Sequence, residues 1–474
     1  MKRLPPPRSP VARSEAPPPL SFAVVSLGCA KNTVDSERLM GDFALKGFTP
    51  VADVADADVV LVNTCGFLAA AREEARETLE TVRLRTGALL VACGCFAERA
   101  AGNAAFSAML SAADHVAGFA DYPRLPDLCR AWLAEKRPSP AAAAALRGWK
   151  GKKLPPAYLR WLDGGRILSG APHLAFLKLG EGCGNHCAFC AIPLIRGERV
   201  SRPLDAVLRE AGELAASGVK ELCLIAQDTT AYGMDLAGGK SLLPELLDRL
   251  PEAAPGLRRM RLLYAHPRHV TEEFAAAFAR NPLLVPYLDL PLQHATDRML
   301  ETMGRRHGMA QMRSALALLR EKVPGLALRT TFIVGHPGET EEDFASLLRF
   351  VEEERFEAMG AFVYSPEPGT RSAAMPDKVP ADVAEERRKA LYAAQRKVWR
   401  ARAKARMGQT LEVMLDERVP GGWKAHAAFQ MPGEDGCVLV EGALRHAPGE
   451  LVRVRVTAAR FPDYRAVPQR APRA

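Results

Sequence analysis

Three rhythms of apolar and polar positions divide the chain. Between residues 22 and 135, short apolar runs at 22–27, 57–62 and 88–92 alternate with amphipathic stretches such as 68–85, which carry charges on one side and Ala, Leu and Val on the other. Strand-length runs separated by helical periodicity predict an α/β domain with a parallel sheet covered on both faces. Between residues 173 and 406 the rhythm recurs, with candidate strands at 174–179, 219–226, 260–264, 285–290, 328–334 and 359–364, and it closes on a basic helix at 383–404. Six strand–helix units suit a partial (β/α)6 TIM-like barrel, whose active site lies at the C-terminal ends of its strands. From 407 to 474 the pattern is all-β, with runs at 409–415, 436–441 and 450–458 broken by Gly/Pro turns, which predicts a small barrel followed by a basic tail.

Two segments fall outside these rhythms. The first twenty residues hold seven prolines and four basic residues against one acid, so residues 1–21 read as a disordered extension without the apolar middle of a secretory signal. Residues 136–172 read as a basic, Pro/Ala-rich linker, with an RNA-contacting arm as the rival reading; from 136 to 160 there are seven basic residues and no acid.

Composition narrows the class. No apolar run reaches the roughly 18–20 residues that span a membrane. The 64 basic against 55 acidic residues give +9, compatible with an RNA or ribosome partner without requiring one. Ten cysteines in 474 residues are too sparse for a disulfide scaffold. With no export signal the expected compartment is the reducing cytoplasm, where thiols are free or bound to metal.

The cysteines carry the chemistry. Cys183, Cys187 and Cys190 form a C-x3-C-x2-C loop just after the first predicted barrel strand. Thiolates so spaced converge on one metal centre, and three of them leave one iron of a four-iron cluster open to a small molecule. Structural zinc, with His186 as fourth ligand, is the competing reading, and the loop's position at an active-site end favours iron–sulfur. A second trio, Cys29, Cys65 and Cys95, falls just beyond the C-terminal ends of three predicted parallel strands, where an open α/β sheet binds ligands. From the residues alone, a second metal site and a set of buried thiols both remain open. Cys93 stands two positions before Cys95 and competes with it; Cys129, Cys223 and Cys437 have no motif around them and read as ordinary buried thiols.

The loop Glu181-Gly182-Cys183-Gly184-Asn185-His186-Cys187-Ala188-Phe189-Cys190 resembles the radical S-adenosylmethionine (SAM) superfamily. That resemblance implies that SAM chelates the open iron and is cleaved by one electron to a deoxyadenosyl radical, with Phe189 near the adenine. Ser26-Leu27-Gly28-Cys29-Ala30-Lys31-Asn32, Asn63-Thr64-Cys65 and Gly94-Cys95-Phe96-Ala97-Glu98-Arg99 are similar to the three cysteine motifs of the methylthiotransferases. By that likeness, Cys29, Cys65 and Cys95 hold a second [4Fe-4S] cluster, the C-terminal barrel is of the TRAM type, a second SAM supplies the methyl group, and an external electron donor is required. The motif match also favours Cys95 over Cys93.

Within these enzymes the details resemble the branch that modifies the β-carbon of an aspartate in the small-subunit ribosomal protein of the decoding centre. They are Ala30-Lys31-Asn32-Thr33-Val34-Asp35-Ser36-Glu37, Gln227-Asp228-Thr229-Thr230-Ala231-Tyr232-Gly233 and Leu290-Pro291-Leu292-Gln293-His294-Ala295. The alternative is the branch that methylthiolates adenosine in transfer RNA; a zinc-holding ribosome- or RNA-binding protein is the rival of a different class. Gln227, Asp228, Gly335 and Glu339 stand at predicted strand ends and are expected to help hold SAM, while Arg196, Gly197 and Arg199 are expected to order the cysteine loop. Between 407 and 450, three basic residues face seven acids, which predicts a surface that docks a basic protein, and the arginine-rich tail suggests ribosomal RNA contact.

Overall fold

Each apolar run of the first block enters one parallel sheet, in the order Thr49–Pro50, Ser21–Ser26, Val59–Thr64, Leu89–Cys93, His115–Val116. The computed structural model describes residues 19–135, 154–442 and 445–469; the proposed extension lies almost wholly outside them, as does the first half of the linker. Val59 and Leu61 pack into the cluster on one face with Phe22, Phe43 and Val91, whereas Val60 and Val62 pack on the other with Leu79, Leu90 and Phe96. This alternation, apolar on both sides, is what a parallel sheet sandwiched between helices requires. The two outer strands escape the sequence pattern because two residues carry no period.

The second half of the basic stretch differs from a solvated linker. Helix Pro156–Trp161 sets Tyr158 and Trp161 against Phe119 and Tyr122, with ring centroids 5.1–5.8 Å apart. Its apolar residues Leu154, Tyr158, Trp161 and Leu162 are buried in the N-terminal core. The charge count up to Arg160 concealed this aromatic contribution.

The central sheet has six parallel strands in the order Ala358–Val363, Ala327–Val334, Leu284–Asp289, Arg259–Leu262, Glu221–Ile225, Leu174–Lys178, and its two end strands do not pair with each other. This is the partial barrel expected. The last block is a closed barrel of five strands, Thr410–Val419, Gly422–Ala427, Val438–Glu441, Asp463–Pro468 and Leu451–Arg460, filled by Val413, Trp423, Val440, Val454 and Tyr464. Trp399 of helix Ala381–Arg406 packs into that core, its ring 5.6 Å from Tyr464.

Polar side chains fasten the small barrel to the central sheet. Arg261 donates to the carbonyls of Ala427 (3.0 Å) and Ala428 (2.7 Å), and His426 bridges Glu221 (3.0 Å) and Asp416 (2.8 Å). Arg329 pairs with Glu434 (2.8 Å) and Asp435 (3.1 Å). The acidic stretch is therefore largely neutralised from within: Glu412 pairs with Arg259, Glu441 with Arg465 and Glu450 with His446. A charge count confined to residues 407–450 left out the arginines outside the segment that pair with Glu412, Glu434, Asp435 and Glu441, so this face is less acidic than the segment alone suggests.

Candidate active site

The ends of the N-terminal strands build one wall of a cavity. Strand Ser21–Ser26 runs into Cys29, which caps helix Ala30–Leu45; strand Val59–Thr64 runs directly into Cys65. Gly28 has φ +90°, and a Cβ there would stand 2.8 Å from Cys65 Cβ, so only glycine lets these two cysteines approach. Gly94, also at φ +90°, would bring a Cβ to 2.2 Å from Asn63 Oδ1. At Gly94 the extended strand Leu89–Cys93 turns into helix Gly94–Ala100, which breaks the two-residue alternation. Cys95 consequently lines the cavity, and Cys93 stays in the core near Tyr122 and Cys129.

Two asparagines hold these loop ends. Asn32 Nδ2 donates to the carbonyls of Leu27 (3.0 Å) and Thr64 (3.1 Å), and Asn63 Nδ2 donates to the carbonyl of Asn32 and to Ser36 Oγ, both at 2.9 Å.

The opposite wall comes from the central sheet. The loop after Leu174–Lys178 presents Cys183, Cys187 and Cys190, braced by Cys183 N–H to Gly197 O (3.1 Å) and Ala188 N–H to Met303 O (2.8 Å). Arg305 donates to Cys187 Sγ (3.3 Å) and to Pro291 O (2.7 Å). His186, the alternative zinc ligand, pairs with Glu198 at 3.3 Å and does not line the cavity.

All six cysteines of the two trios therefore face one cavity of about 320 Å³. Phe189 and Gln227 line it too, together with Lys31, Tyr264, His266 and Gln293. Asp228 stands behind this wall. It accepts from Asn185 (2.6 Å) and Thr230 (2.7 Å) and contacts His269 (2.9 Å). Gly335 and Glu339 do not line the cavity: Glu339 accepts from the Gly335 N–H, meets His294 at 3.1 Å and pairs with Arg387 at 2.8 Å, which makes a buried brace for the loop.

The residues that sequence reasoning passed over share one signal, the end of a strand. Tyr264 and Gln293 follow the third and fourth strands of the central sheet and adopt left-handed backbone at φ 61° and 75°. Non-glycine residues held there cost roughly 1–3 kcal/mol each and cluster at functional sites. The side chains of Gln227, His266 and Gln293 each keep a buried polar atom, Oε1, Nε2 and Oε1 respectively, without a hydrogen-bond partner among the described residues.

Two cations, Arg196 and Lys178, join the walls. Arg196 is 1% exposed and donates to both oxygens of Glu181 (2.9 and 2.7 Å) on its own side. Across the cavity it reaches Asn32 Oδ1 (2.9 Å), Asp35 Oδ2 (2.8 Å) and Cys95 Sγ (3.3 Å). Lys178 pairs with the same two carboxylates, so two buried positive charges match two negative ones.

The thiols divide by environment. Burial pushes Cys95 and Cys183 up to about 12 and raises Cys65 and Cys190 as well. At Cys29 burial is outweighed by the Lys31 ammonium and the Arg196 guanidinium, which bring its thiol below the ordinary value. Thiols with raised values bind a soft metal centre by losing their protons to it.

Two family models match parts of the chain. Residues 177–351 match the Radical SAM superfamily, and residues 21–118 match uncharacterized protein family UPF0004. The ribosomal protein uS12 methylthiotransferase RimO of Anaeromyxobacter sp. (strain K) is 42% identical over 441 residues, covering 92% of this chain and 90% of that protein. The RimO protein of Myxococcus xanthus (strain DK1622) is 39% identical over 454 residues, with 94% and 91% covered. Among solved structures, the radical SAM methyltransferase TsrM from Kitasatospora setae, with cobalamin and a [4Fe-4S] cluster bound, shares the fold at TM-score 0.52 and 18% identity, over 74% of this chain and 76% of that one.

Proposed function

The chain belongs to the family of ribosomal protein uS12 methylthiotransferases, enzymes of the radical SAM type, and on that premise we propose that it inserts sulfur and a methyl group at the β-carbon of an aspartate in uS12. The observation that carries the reading is the convergence of both cysteine trios on one 320 Å³ cavity.

The donor set on each wall fits a four-iron cluster with one open iron. Each wall offers three thiols, and the imidazole that would complete a zinc site turns away to Glu198. Cys183, Cys187 and Cys190 would hold the cluster that supplies one-electron cleavage of SAM, and Cys29, Cys65 and Cys95 the cluster that would present the sulfur to be inserted. The target C–H bond is unactivated, and no side-chain base removes such a hydrogen at a useful rate, so the hard chemistry belongs to the cofactors.

The protein's own residues position and shield. Phe189, Ile192, Ile195 and Pro291 give the cavity apolar walls that exclude water. Gln227 and His266 offer polar atoms on the side of the Cys183 loop and suit the polar groups of SAM. Arg196 helps to fix the distance between the walls because it is bonded to both domains, and Lys178–Asp35 and Arg38–Glu210 bridge them as well.

The reading is tested by incubating anaerobically reconstituted protein with SAM, a strong reductant, uS12 and bulk transfer RNA. The expected products are deoxyadenosine and uS12 heavier by one methylthio group on an aspartate. A methylthio group on transfer RNA with uS12 unchanged would assign the chain to the other branch.

A further inference from the structure

Lys31 stands where the walls meet, and no carboxylate is bonded to its ammonium. It is 8% exposed and lines the cavity two residues beyond Cys29, on the first turn of helix Ala30–Leu45. Among the described residues its Nζ has no hydrogen-bond acceptor and no ion pair; its contact is the face of Tyr264, 2.9 Å from the ring centroid. The other two cations of the wall are differently placed: Arg196 is neutralised by Glu181 and Asp35, and Arg305, which also has no carboxylate partner and keeps a buried Nε unbonded, is tied through its two Nη groups to Cys187 Sγ and Pro291 O on the side of the Cys183 loop. The groups whose charge acts on Lys31 most are the Cys29 thiol, two residues away in the N-terminal trio, and Asp289, which is already bonded to Arg329 at 3.1 Å; Glu181 is bonded to Arg196.

A buried ammonium without an anion is costly, and proteins keep one where a ligand brings the missing charge. Tyr264, which carries the ammonium, is itself held in left-handed backbone at the end of its strand, so the pair is built in place at some cost. Lys31 lies on the side of Cys29, Cys65 and Cys95, whereas Asn185, Phe189 and Gln227 mark the side of the other trio. A substrate carbon that must meet both trios lies between them, within reach of this ammonium.

We propose that Lys31 binds the side-chain carboxylate of the substrate aspartate and thereby selects that residue. The inference rests on the proposed protein substrate. The carbon to be modified is bonded directly to a carboxylate, and that carboxylate enters a cavity where its burial requires a counter-charge. Asparagine brings no negative charge there, nor does an adenine ring. Tyr264 aims the ammonium, and Lys31 is a specificity determinant rather than a participant in bond cleavage.

The test uses reconstituted full-length protein and two uS12 peptides that differ only in aspartate or asparagine at the modified position. Wild-type protein should bind the aspartate peptide at least about 30-fold more tightly, as expected for a buried charge pair. Lys31→Met and the more nearly isosteric, polar Lys31→Gln should lose that preference by weakening the aspartate peptide alone. Binding is compared per reconstituted site, with iron and sulfide measured for each variant, because removing the ammonium also removes a charge that lowers the Cys29 thiol. A variant that keeps its iron and keeps the preference overturns the assignment, and so does wild-type protein that binds both peptides equally, a result that needs no variant. Wild-type protein that binds neither peptide but modifies transfer RNA overturns the protein-substrate reading together with this inference, whereas a retained preference in Lys31→Gln overturns this inference alone.

Discussion

Removal of the Arg196 guanidinium should separate radical generation from sulfur insertion. In Arg196→Met, Glu181 and Asp35 lose the donor at 2.7–2.9 Å that each now has, and their side chains are 0% exposed. Lys178 is left to balance two buried carboxylates. Removing one partner of such a pair costs about 3–5 kcal/mol. The first transition of urea unfolding should therefore shift down by at least about 1 M, for a slope of roughly 3 kcal/mol/M. The loss falls on the contact between the walls, since Asn32, Asp35 and Cys95 belong to the N-terminal domain and Glu181 to the central one. Deoxyadenosine formation should persist while methylthiolated product per deoxyadenosine falls severalfold. Adding Glu181→Gln should recover part of the stability by removing one orphaned charge. Arg196→Met with a stability within 1 kcal/mol of wild type and unchanged product yield per deoxyadenosine would refute the view that this residue holds the walls together.

Further expectations follow from other contacts. Cys183→Ala should lose half of the iron and all deoxyadenosine formation, whereas Cys95→Ala should lose the other half of the iron and sulfur insertion only; Cys93→Ala, whose thiol packs in the core, should keep the iron of both sites by elemental analysis. Gly28→Ala places a Cβ 2.8 Å from Cys65 Cβ at φ +90°, so it should cost about 1–2 kcal/mol of backbone strain and deplete iron from the N-terminal site, measured as iron per chain after reconstitution. Docking of the small barrel should depend on pH in both directions. Burial opposes the charge on His426, but Glu221 and Asp416 raise its pKa above the ordinary value, so its contribution is full below about pH 6.5 and is lost as pH rises through the raised value. Glu221 and Asp416 are depressed against the pull of burial, so theirs is full above about pH 4.5 and is lost as pH falls through their lowered values. Thermal melts should show the alkaline loss in wild type and not in His426→Leu; an identical alkaline loss in the variant would remove His426 from the account.

Periodicity made the two α/β sheets legible because the inner strands of the N-terminal sheet are almost wholly apolar and those of the central sheet are short, mainly apolar runs separated by helical stretches, even with Glu221, Arg259, Arg261 and Arg329 among them. It failed where a strand is too short to have a period, as at Thr49–Pro50, or where it mixes lysine, tryptophan and histidine, as at Gly422–Ala427. His426 illustrates the second case: it is 1% exposed because Glu221 and Asp416 receive it, and partners 205 and 10 positions away leave no local mark. The cysteine trios were legible because spacing and strand-end position coincide. The choice between Cys93 and Cys95 rested on the motif, and its physical basis is the turn at Gly94. Gly335 and Glu339 show the limit of the strand-end rule, since a loop at the right end of a strand can serve as a brace through His294 and Arg387. Lys31 stood in full view within a quoted motif, but only its burial without an anion distinguishes it from a solvated lysine.

The most direct test of the central claim is tandem mass spectrometry of uS12 from cells that lack this chain and are complemented with wild type, Cys95→Ala or Cys183→Ala. A methylthio group on one aspartate with the wild-type chain, and unmodified uS12 with either variant, is the predicted result, because both walls of the cavity must be intact. A methylthio group that persists on uS12 in the strain complemented with Cys95→Ala would contradict it.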